Sequence, residues 1–529
     1  MSERYGLRSP VDFLLDAEAE GPDAPLLRHA GGTVTVTEFA SLVRRCATDL
    51  IDRFAVESGD RVALVGRNSV HRLAWQYGAY WIGAVEVSLN FDLKGPMLAH
   101  VLTDSEPTLI LTDDEFRAEV TRHAGSTRID ALTGPVTEQT DVPPGLRRHL
   151  DALSRDHLAT ILYTSGTTGP SKGVMLPHGY LANNADAAQE MIALTTDDVG
   201  HSALPFFHVD IHVIFPAIIR SGSSLYFTER FSVSRFWEQV TTHGCTWAMA
   251  VGSMLAGVAL STPPGRADIP LTRVVGAPVP PEVYGYFEDR LGVPVLSTYG
   301  QTEAHGISIE TIDARRRGSA GRICDAFDVA ILSPDGRRLP PGTVGEICHR
   351  PNHPAMVLLG YWRRPASTVA AWQNLWYHTG DLGLIDEDGF LFFKGRLTDS
   401  LRRRGENISA FELEAVLRTA PGVVDAAAIG VVDELGGEDE IKVFVDCGDT
   451  GVLDPQSFFD FCVANLPRFA VPRYVAQVDA ASFVRSPGTG VIQKHRLPTR
   501  ITGAGVYDRL AESGSANNFS FSERNHHRG

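Results

Sequence analysis

The sequence predicts an α/β protein with a large N-terminal domain of layered sheets and helices, a small antiparallel barrel, and a compact α+β domain at the C-terminus, here called the lid. Three observations predict this architecture. Short apolar segments alternate with longer amphipathic segments up to about residue 395. Closely spaced strands begin near Gly321, and a compact mixture of helix and strand patterns follows residue 400. Strand–helix alternation favours parallel sheets that are covered by helices.

The N-terminal domain is expected over residues 1–397. Its helical segments repeat apolar residues at three and four positions, at 39–54 and 69–82. Its predicted strands are short apolar runs, at 61–65, 109–111, 159–163 and 224–227.

The barrel is predicted from a change of pattern inside this domain. Strands at 328–332, 345–348 and 390–393 lie close together in the chain. Asp-Gly pairs at 335–336 and 388–389 are typical of hairpin turns, because glycine accepts a positive φ.

The lid is expected over residues 398–503. A helix at 411–419 and strands at 423–432 and 441–445 predict its α+β character. The tail at 504–529 is rich in Ser, Asn, Arg and His, and we expect it to be disordered.

Composition and charge exclude several classes of function. The chain has 529 residues, 43% hydrophobic and 21% charged, which is ordinary for a globular protein with a large core. Its net charge of -16 argues against nucleic acid as a main partner, because phosphate backbones require clustered Lys and Arg. The six scattered cysteines form no CxxC motif, no apolar run could span a bilayer, and the N-terminus lacks a signal-peptide core. We therefore expect a cytoplasmic enzyme.

The segment from Tyr163 to Val174, YTSGTTGPSKGV, carries the strongest functional signal. It follows an apolar strand and gathers hydroxyls, glycines and one lysine, Lys172, in a short loop. Glycines let backbone amides approach an anion, and hydroxyls donate to phosphate oxygens. The pattern indicates a site for the phosphates of ATP, and it differs from the common phosphate loop, in which a Lys-Ser/Thr pair opens a helix.

With this segment and the motifs below, the chain resembles the adenylate-forming acyl-CoA synthetase superfamily, most closely its carnitine/crotonobetaine-CoA ligases, from about residue 10 to about residue 500. The resemblance implies the acyl-adenylate synthetase fold, in which the α+β C-terminal lid is mobile. It also implies ATP or AMP, CoA and a carboxylic acid or acyl-adenylate as ligands, and Mg²⁺ if ATP is used. It implies catalytic roles for Thr164, Lys172, His208, Glu303 and Gly405. It assigns nucleotide and CoA binding to Ser165, Gly166, Thr167, Thr168, Gly169, Gly276, Ala277, Pro278, Tyr299, Gly300, Thr302, Asp381, Arg396, Arg403 and Arg404.

The motif STYGQTE at 297–303 and the turn at 276–278 are expected to bind the nucleotide. Tyr299 offers a flat face for adenine, and Thr302 can reach a phosphate oxygen. Glu303 is a hard carboxylate that suits Mg²⁺. By resemblance, Asp381 in YHTGD accepts from both ribose hydroxyls, and Arg396 contacts ribose and phosphate.

The motif LPFFHVD at 204–210 resembles the family segment that gates the acyl and pantetheine tunnels, which places His208 near the activated carboxylate. If Asp210 and His212 line the acyl pocket, the acid carries a polar or hydrogen-bonding group. The candidate pocket residues are Phe206, His208, Asp210, Val251, Gly276, Gln301 and His305.

The segment RRRGENIS at 402–409 resembles the lid loop that meets CoA. Gly405 would let pantetheine pass the backbone, and the arginines suit the CoA phosphates.

The chain departs from the family at the end of the lid, where GTGVIQKH at 488–495 places Val491 at the position of the family's catalytic lysine. That lysine bridges the substrate carboxylate and the α-phosphate, so its loss should cost adenylation about 10²–10³ in rate. Lys494 is not expected to replace it, because an odd offset in an extended segment points to the opposite face. Thr398 stands where the family hinge usually carries Asp or Lys.

Three functions stay open at this point. The first is a ligase that forms thioesters but adenylates weakly, with a separate adenylating enzyme as a partner. The second is a complete two-step ligase, and the third is a binding protein that sequesters an acyl-adenylate. The intact CoA loop disfavours the last of these.

Overall fold

The computed structural model describes residues 9–136, 144–164, 170–261, 269–396, 401–403, 406–432, 439–448, 451–484, 492, 494–501 and 505–512.

The helices are α1 Pro10–Glu20, α2 Val36–Asp52, α3 Val70–Ile82, α4 Gly95–Ser105, α5 Asp114–His123, α6 Pro144–Asp151, α7 His178–Ile192, α8 Val209–Ser221, α9 Phe236–Thr242, α10 Gly252–Ser261, α11 Pro281–Tyr284, α12 Pro365–Ala371, α13 Ala410–Leu417, α14 Pro455–Asn465 and α15 Arg509–Glu512. A π-helical turn at Gly285–Arg290 and 3-10 turns at Arg468–Ala470, Ala480–Ser482 and Lys494–Arg496 complete the helical elements.

The strands are β1 Pro25–His29, β2 Gly32–Thr35, β3 Arg61–Val65, β4 Val85–Leu89, β5 Leu109–Thr112, β6 Arg128–Ala131, β7 Leu158–Thr164, β8 Lys172–Pro177, β9 Val199–Ser202, β10 Ser224–Phe227, β11 Trp247–Met249, β12 Arg273–Gly276, β13 Val295–Gln301, β14 Ala304–Ile309, β15 Arg322–Ile323, β16 Phe327–Leu332, β17 Gly345–Pro351, β18 Gly360–Tyr361, β19 Trp372–Gln373, β20 Trp376–Ile385, β21 Leu391–Arg396, β22 Leu401–Arg403, β23 Glu406–Ile408, β24 Asp425–Val432, β25 Asp439–Asp446, β26 Tyr474–Val478 and β27 Val506–Asp508.

Two large sheets form the N-terminal domain. One has the order β15-β14-β13-β12-β11-β9-β10-β1-β2, and the other has the order β18-β8-β7-β4-β3-β5-β6. Their central strands are parallel and their edges include antiparallel strands, as in β7–β8 and β13–β14. Helices α2, α3, α7 and α8 contribute many side chains to the main core. The predicted α/β class is confirmed.

The predicted barrel is a five-stranded antiparallel sheet. Its order is β16-β17-β20-β19, and β21 pairs with β20. The sheet begins a few residues after Gly321, where the sequence pattern changes, and it carries Asp381 on β20.

Helix α3 begins and ends at residues that favour helix termini. The Ser69 side chain accepts a hydrogen bond from the backbone N–H of Arg72, and Gly83 ends the helix in the left-handed region at φ +72°. The helix is buried along most of its length, so Arg72 enters the core with it.

The lid contains the four-stranded sheet β24-β25-β26-β27 with α13 packed beside β24. The lid continues beyond residue 503, because Val506–Asp508 pairs with β26 and is followed by α15. The expectation of disorder is therefore wrong for residues 506–512. Val506 and Tyr507 pack against the apolar clusters of the lid. The sequence did not predict this, because the tail as a whole is polar in composition. Residues 513–529 lie outside the described residues.

Among the described helices, none combines the length and the apolar character that a membrane-crossing segment requires.

Candidate active site

Strands β7 and β8 hold the ends of the predicted phosphate loop. They pair in antiparallel fashion, with Thr164 directly opposite Lys172. Lys172 therefore opens a strand, which agrees with the prediction that this loop differs from one in which lysine opens a helix. The loop residues Ser165, Gly166, Thr167, Thr168 and Gly169 lie outside the described residues.

Tyr361 links Lys172 to Glu303, and Tyr377 contacts the Tyr361 hydroxyl. The Lys172 ammonium lies 5.2 Å from the centre of the Tyr361 ring. The Tyr361 hydroxyl donates to Glu303 Oε1 at 2.8 Å and lies 2.8 Å from the hydroxyl of Tyr377. Burial raises the pKa of Tyr361, so its hydroxyl stays protonated and can donate to the carboxylate. The structure thus brings Thr164, Lys172 and Glu303 to one place, and neither tyrosine was among the predicted site residues.

Glu303 has the chemistry that Mg²⁺ requires. It is a nearly buried carboxylate in the two-residue turn between β13 and β14. Mg²⁺ usually takes one or two carboxylates together with substrate phosphates, so a single glutamate beside the phosphate loop fits the ion. The other residue of the turn, Thr302, accepts a hydrogen bond from the Tyr180 hydroxyl through its backbone oxygen at 3.0 Å.

Within the described residues, a group of three potential metal ligands occurs only at Glu346, Cys348 and His378. His378 Nδ1 lies 2.8 Å from Glu346 Oε2, and Glu346 Oε1 accepts the backbone N–H of Gly380 at 3.0 Å. These contacts hold the strand that leads directly to Asp381, so we assign the group to supporting that residue.

Asp381 is the centre of the predicted ribose site. It is 3% exposed, and its Oδ2 accepts hydrogen bonds from the Tyr299 hydroxyl at 2.8 Å and from Gln301 Nε2 at 2.7 Å. The backbone of Arg396 is paired opposite Asp381. The structure therefore brings the adenine and ribose candidates together, and Gln301 contacts Asp381 as well as belonging to the predicted pocket.

Close backbone approach constrains Gly300 on β13. A Cβ atom at this position would lie 2.9 Å from the backbone nitrogen of Gly306. Only glycine fits without a shift of the neighbouring strand.

Gly252, at the start of α10, supports the turn formed by Gly276, Ala277 and Pro278. A Cβ atom at Gly252 would lie 1.9 Å from the carbonyl oxygen of Pro278. The sequence contained no signal for this contact, because the two segments are more than twenty residues apart.

We expect Gly252→Ala to displace the 276–278 turn, to weaken binding of an acyl-adenylate and to lower the free energy of unfolding by about 1–3 kcal/mol, as overpacking does. Chemical denaturation and calorimetric titration measure the two effects. Gly285→Ala is the matched control, since its Cβ would meet no atom within 4 Å. Equal behaviour of the two variants would contradict the assignment.

His208 lies at the junction between the N-terminal domain and the lid. It is the residue before the first turn of α8, without a side-chain capping bond, and its Nε2 lies 3.1 Å from Glu406 Oε1 on β23 of the lid. Asp210 Oδ1 lies 3.4 Å from His305 Nε2, which places two pocket candidates together. His212 instead points into the protein interior and contacts Glu86, so it does not line the pocket. Phe206 is likewise buried, at 1% exposed.

A cavity lies between the lid and the N-terminal domain. Its walls include Ser88, Tyr163, His208, Glu406 and Phe469. A second contact across it joins Glu412 Oε1 of the lid to the backbone N–H of Ser171, beside the phosphate loop, at 2.7 Å.

The predicted CoA residues fall into two groups. Arg403 is 3% exposed, and its guanidinium contacts Glu440 Oε2 at 2.7 Å and the backbone oxygen of Val471 at 2.7 Å. In this arrangement Arg403 stabilises the lid interior, and its contact with CoA stays a prediction. Arg404 and Gly405 lie outside the described residues, as do Thr398 and Val491.

Lys494 is paired within the lid. Its Nζ lies 2.7 Å from Glu414 Oε1 on α13, with side-chain exposures of 13% and 8%. The same oxygen accepts the backbone N–H of Ala428 at 2.8 Å. Both residues belong to the lid, so the pair is independent of contacts with the N-terminal domain.

Comparisons with known proteins agree with this architecture. Residues 15–362 match the AMP-binding enzyme family, and residues 412–486 match the AMP-binding enzyme C-terminal domain. The crotonobetaine/carnitine--CoA ligase of Salmonella typhi is 30% identical over 477 residues, which cover 85% of this chain and 92% of that protein.

Solved structures show the same fold. The amide bond synthetase McbA from Marinactinospora thermotolerans is 26% identical with a TM-score of 0.80, over 92% of this chain and 99% of that chain. The o-succinylbenzoate CoA synthetase (MenE) of Bacillus subtilis, 24% identical, has a TM-score of 0.80 as a double mutant bound to its product analogue OSB-NCoA and 0.65 in complex with the acyl-adenylate intermediate OSB-AMP. Both alignments cover 94% of this chain and 99% of that chain. The chain belongs to the AMP-binding enzyme family and, within it, to the acid–CoA ligases.

Proposed function

We propose that this member of the AMP-binding enzyme family forms an acyl-CoA thioester from an acyl-adenylate and CoA, and that it adenylates a free carboxylic acid weakly or not at all. Residues 1–397 would bind the nucleotide, and the lid from residue 398 would close over the cavity.

The observation that carries the first half of this proposal is the contact of Glu406 with His208. Glu406, which follows Gly405 in the sequence, lines the wall of a cavity that both domains bound. A thiol that enters this cavity would approach the predicted acyl site from the lid side.

The second half of the proposal rests on Val491 and Lys494. Adenylation builds negative charge at phosphorus between two anionic groups, and valine offers neither charge nor a donor there. Lys494 is the nearest cation along the chain, but it is held by Glu414 within the lid. Because both partners move together with the lid, rotation of the lid does not release Lys494.

Thioester formation makes smaller demands on the protein. The CoA sulfur forms a bond to the acyl carbon, the bond from that carbon to the AMP phosphate oxygen breaks, and AMP leaves with the electron pair. The thiol proton is released to solvent. AMP is a good leaving group, so positioning supplies most of the acceleration.

The residues of the acyl pocket favour an acid with a polar group. Asp210 and His305 form a polar pair at 3.4 Å, and the Salmonella relative is named for crotonobetaine and carnitine. If ATP is used, Glu303 would hold Mg²⁺. A separate adenylating enzyme would otherwise supply the acyl-adenylate.

A complete two-step ligase is the second candidate. It is favoured by the names of the relatives at 30% identity, which are CoA ligases. The two candidates share ligands and product, and they differ in the first half-reaction.

Synthetic crotonobetainyl-AMP and butyryl-AMP test the thioester step. Incubation of the purified chain with either adenylate and CoA should yield a thioester, which chromatography detects. Binding of the adenylates without any thioester would contradict the proposal and favour a binding protein.

We expect Glu406→Gln to lower kcat/KM for CoA by about 10–10²-fold, because a hydrogen bond to a charged group is worth about 1.5–3 kcal/mol. Binding of the acyl-adenylate should not change. Glu387→Gln, at an exposed carboxylate, is the control. If binding of the acyl-adenylate fell as much as kcat/KM, Glu406 would serve the adenylate rather than CoA, which would contradict the proposal.

A further inference from the structure

A group of charged and polar side chains lies buried below the cavity, and we call it the buried relay. Its members come from four elements: Arg72 of α3, Glu86 of β4, Thr160 of β7 and His212 of α8. Each is at most 1% exposed. Of the four, the sequence singled out only His212, as a possible lining residue of the acyl pocket, and apolar side chains would be expected at such positions.

Glu86 is the centre of the relay. Its Oε2 accepts from the Thr160 hydroxyl at 2.5 Å and lies 3.3 Å from His212 Nε2, while Arg72 Nη2 lies 4.0 Å from Oε1. Burial alone would raise the pKa of Glu86, but His212, Arg72 and Thr160 outweigh it and lower the pKa below its ordinary value. The carboxylate is therefore ionised: its Oε2 accepts from Thr160 and contacts His212, while Arg72 lies only at ion-pair distance.

The two ends of the relay reach the cavity. His212 Nδ1 donates to the backbone oxygen of His208 at 2.9 Å. Arg72 Nη2 donates to Ser88 Oγ at 2.6 Å. His208 and Ser88 both line the cavity between the lid and the N-terminal domain. The relay thus connects two walls of the cavity through the interior.

Stability alone does not account for this arrangement. Replacement of a buried ion cluster by apolar residues of similar volume is often neutral or stabilising. The polar contacts of the relay are directional, and they fix the first turn of α8, where His208 faces Glu406.

We propose that Glu86 and His212 are positioning residues for the attack of CoA, which act by holding His208 against the lid. This inference rests on the proposed thioester-forming function. It predicts that the effect of changing His212 passes through His208 and disappears when the His208 side chain is absent.

A double-mutant cycle tests this coupling. The single variants His212→Gln and His208→Ala and the double variant are assayed with CoA and butyryl-AMP or crotonobetainyl-AMP, and CoA binding is measured by calorimetry. We expect His212→Gln to raise KM and Kd for CoA about tenfold, since small misplacements can cost up to about 10²-fold, with little change in kcat. On the His208→Ala background the same change should have less than about a twofold effect.

Glu86→Gln keeps the side-chain volume and provides a second variant if His212→Gln does not fold. It should show the same dependence on His208. His201→Gln is the matched control, because His201 is also 1% exposed and bonds to Gln239, away from the cavity.

Effects that multiply with His208→Ala, or a fall in thermal stability with KM unchanged, would overturn the inference. If the wild-type protein binds CoA and forms a thioester while these variants behave like His201→Gln, the inference fails and the proposed function stands. If the wild-type protein neither binds CoA nor forms a thioester, both fail.

Discussion

Val491→Lys should increase ATP–pyrophosphate exchange about 10²–10³-fold in the presence of a suitable acid. The variant returns an ammonium group to the position where the resemblance places one, between the substrate carboxylate and the α-phosphate. Removal of one such donor typically costs about 10²–10³ in rate, so its return should recover a similar factor. Isotope exchange between pyrophosphate and ATP, with crotonobetaine and butyrate as acids, measures the effect.

The thioester step provides the internal comparison for this variant. Its rate from a synthetic acyl-adenylate should change less than about threefold, because the leaving group is already present and positioning dominates. Ala481→Lys adds the same charge at an exposed lid position and should leave exchange unchanged. An equal gain from both lysines would indicate a general charge effect and contradict the assignment of Val491.

Lys494→Met should destabilise the lid by about 3 kcal/mol without reducing any residual adenylation. Removal of one partner of a buried ion pair leaves the other charge unpaired, which typically costs about 3–5 kcal/mol. We expect the lower end of that range, because Arg418 Nη2 also lies 3.5 Å from Glu414 Oε2. Chemical denaturation measures the stability, and exchange per folded molecule measures the activity.

Arg496→Met provides the control for Lys494→Met. It removes an exposed cation from the same 3-10 turn and should change stability by less than about 0.5 kcal/mol. If Lys494→Met were stable but had lost adenylation, Lys494 would be the substitute cation and the proposed division of labour would be wrong.

The sequence predicted the elements that depend on local pattern. Strands at 61–65 and 224–227 have the predicted bounds, since each is a buried apolar run that a turn or helix terminates. The helix predicted at 69–82 lies at Val70–Ile82, because Ser69 and Gly83 are strong terminators. The late strand at 506–508 was missed, because two apolar residues next to a polar tail give almost no periodic signal.

The site was predictable only in part. Motifs identify Asp381, Tyr299 and Glu303, but the contact of Tyr361 with Glu303 joins residues 58 positions apart. Likewise, Glu86 sits in an apolar strand with no local sign of its partner His212, 126 positions away. Such contacts depend on the packing of separate elements, which residue spacing does not encode.

The most direct test compares the two half-reactions in the purified wild-type chain, with no second enzyme present. Thioester formation from crotonobetainyl-AMP or butyryl-AMP with CoA is measured against formation from ATP, Mg²⁺ and the corresponding free acid. We expect the adenylate to react at least about 10²-fold faster. Comparable rates from ATP and a free acid would contradict the account and assign the chain a complete ligase activity.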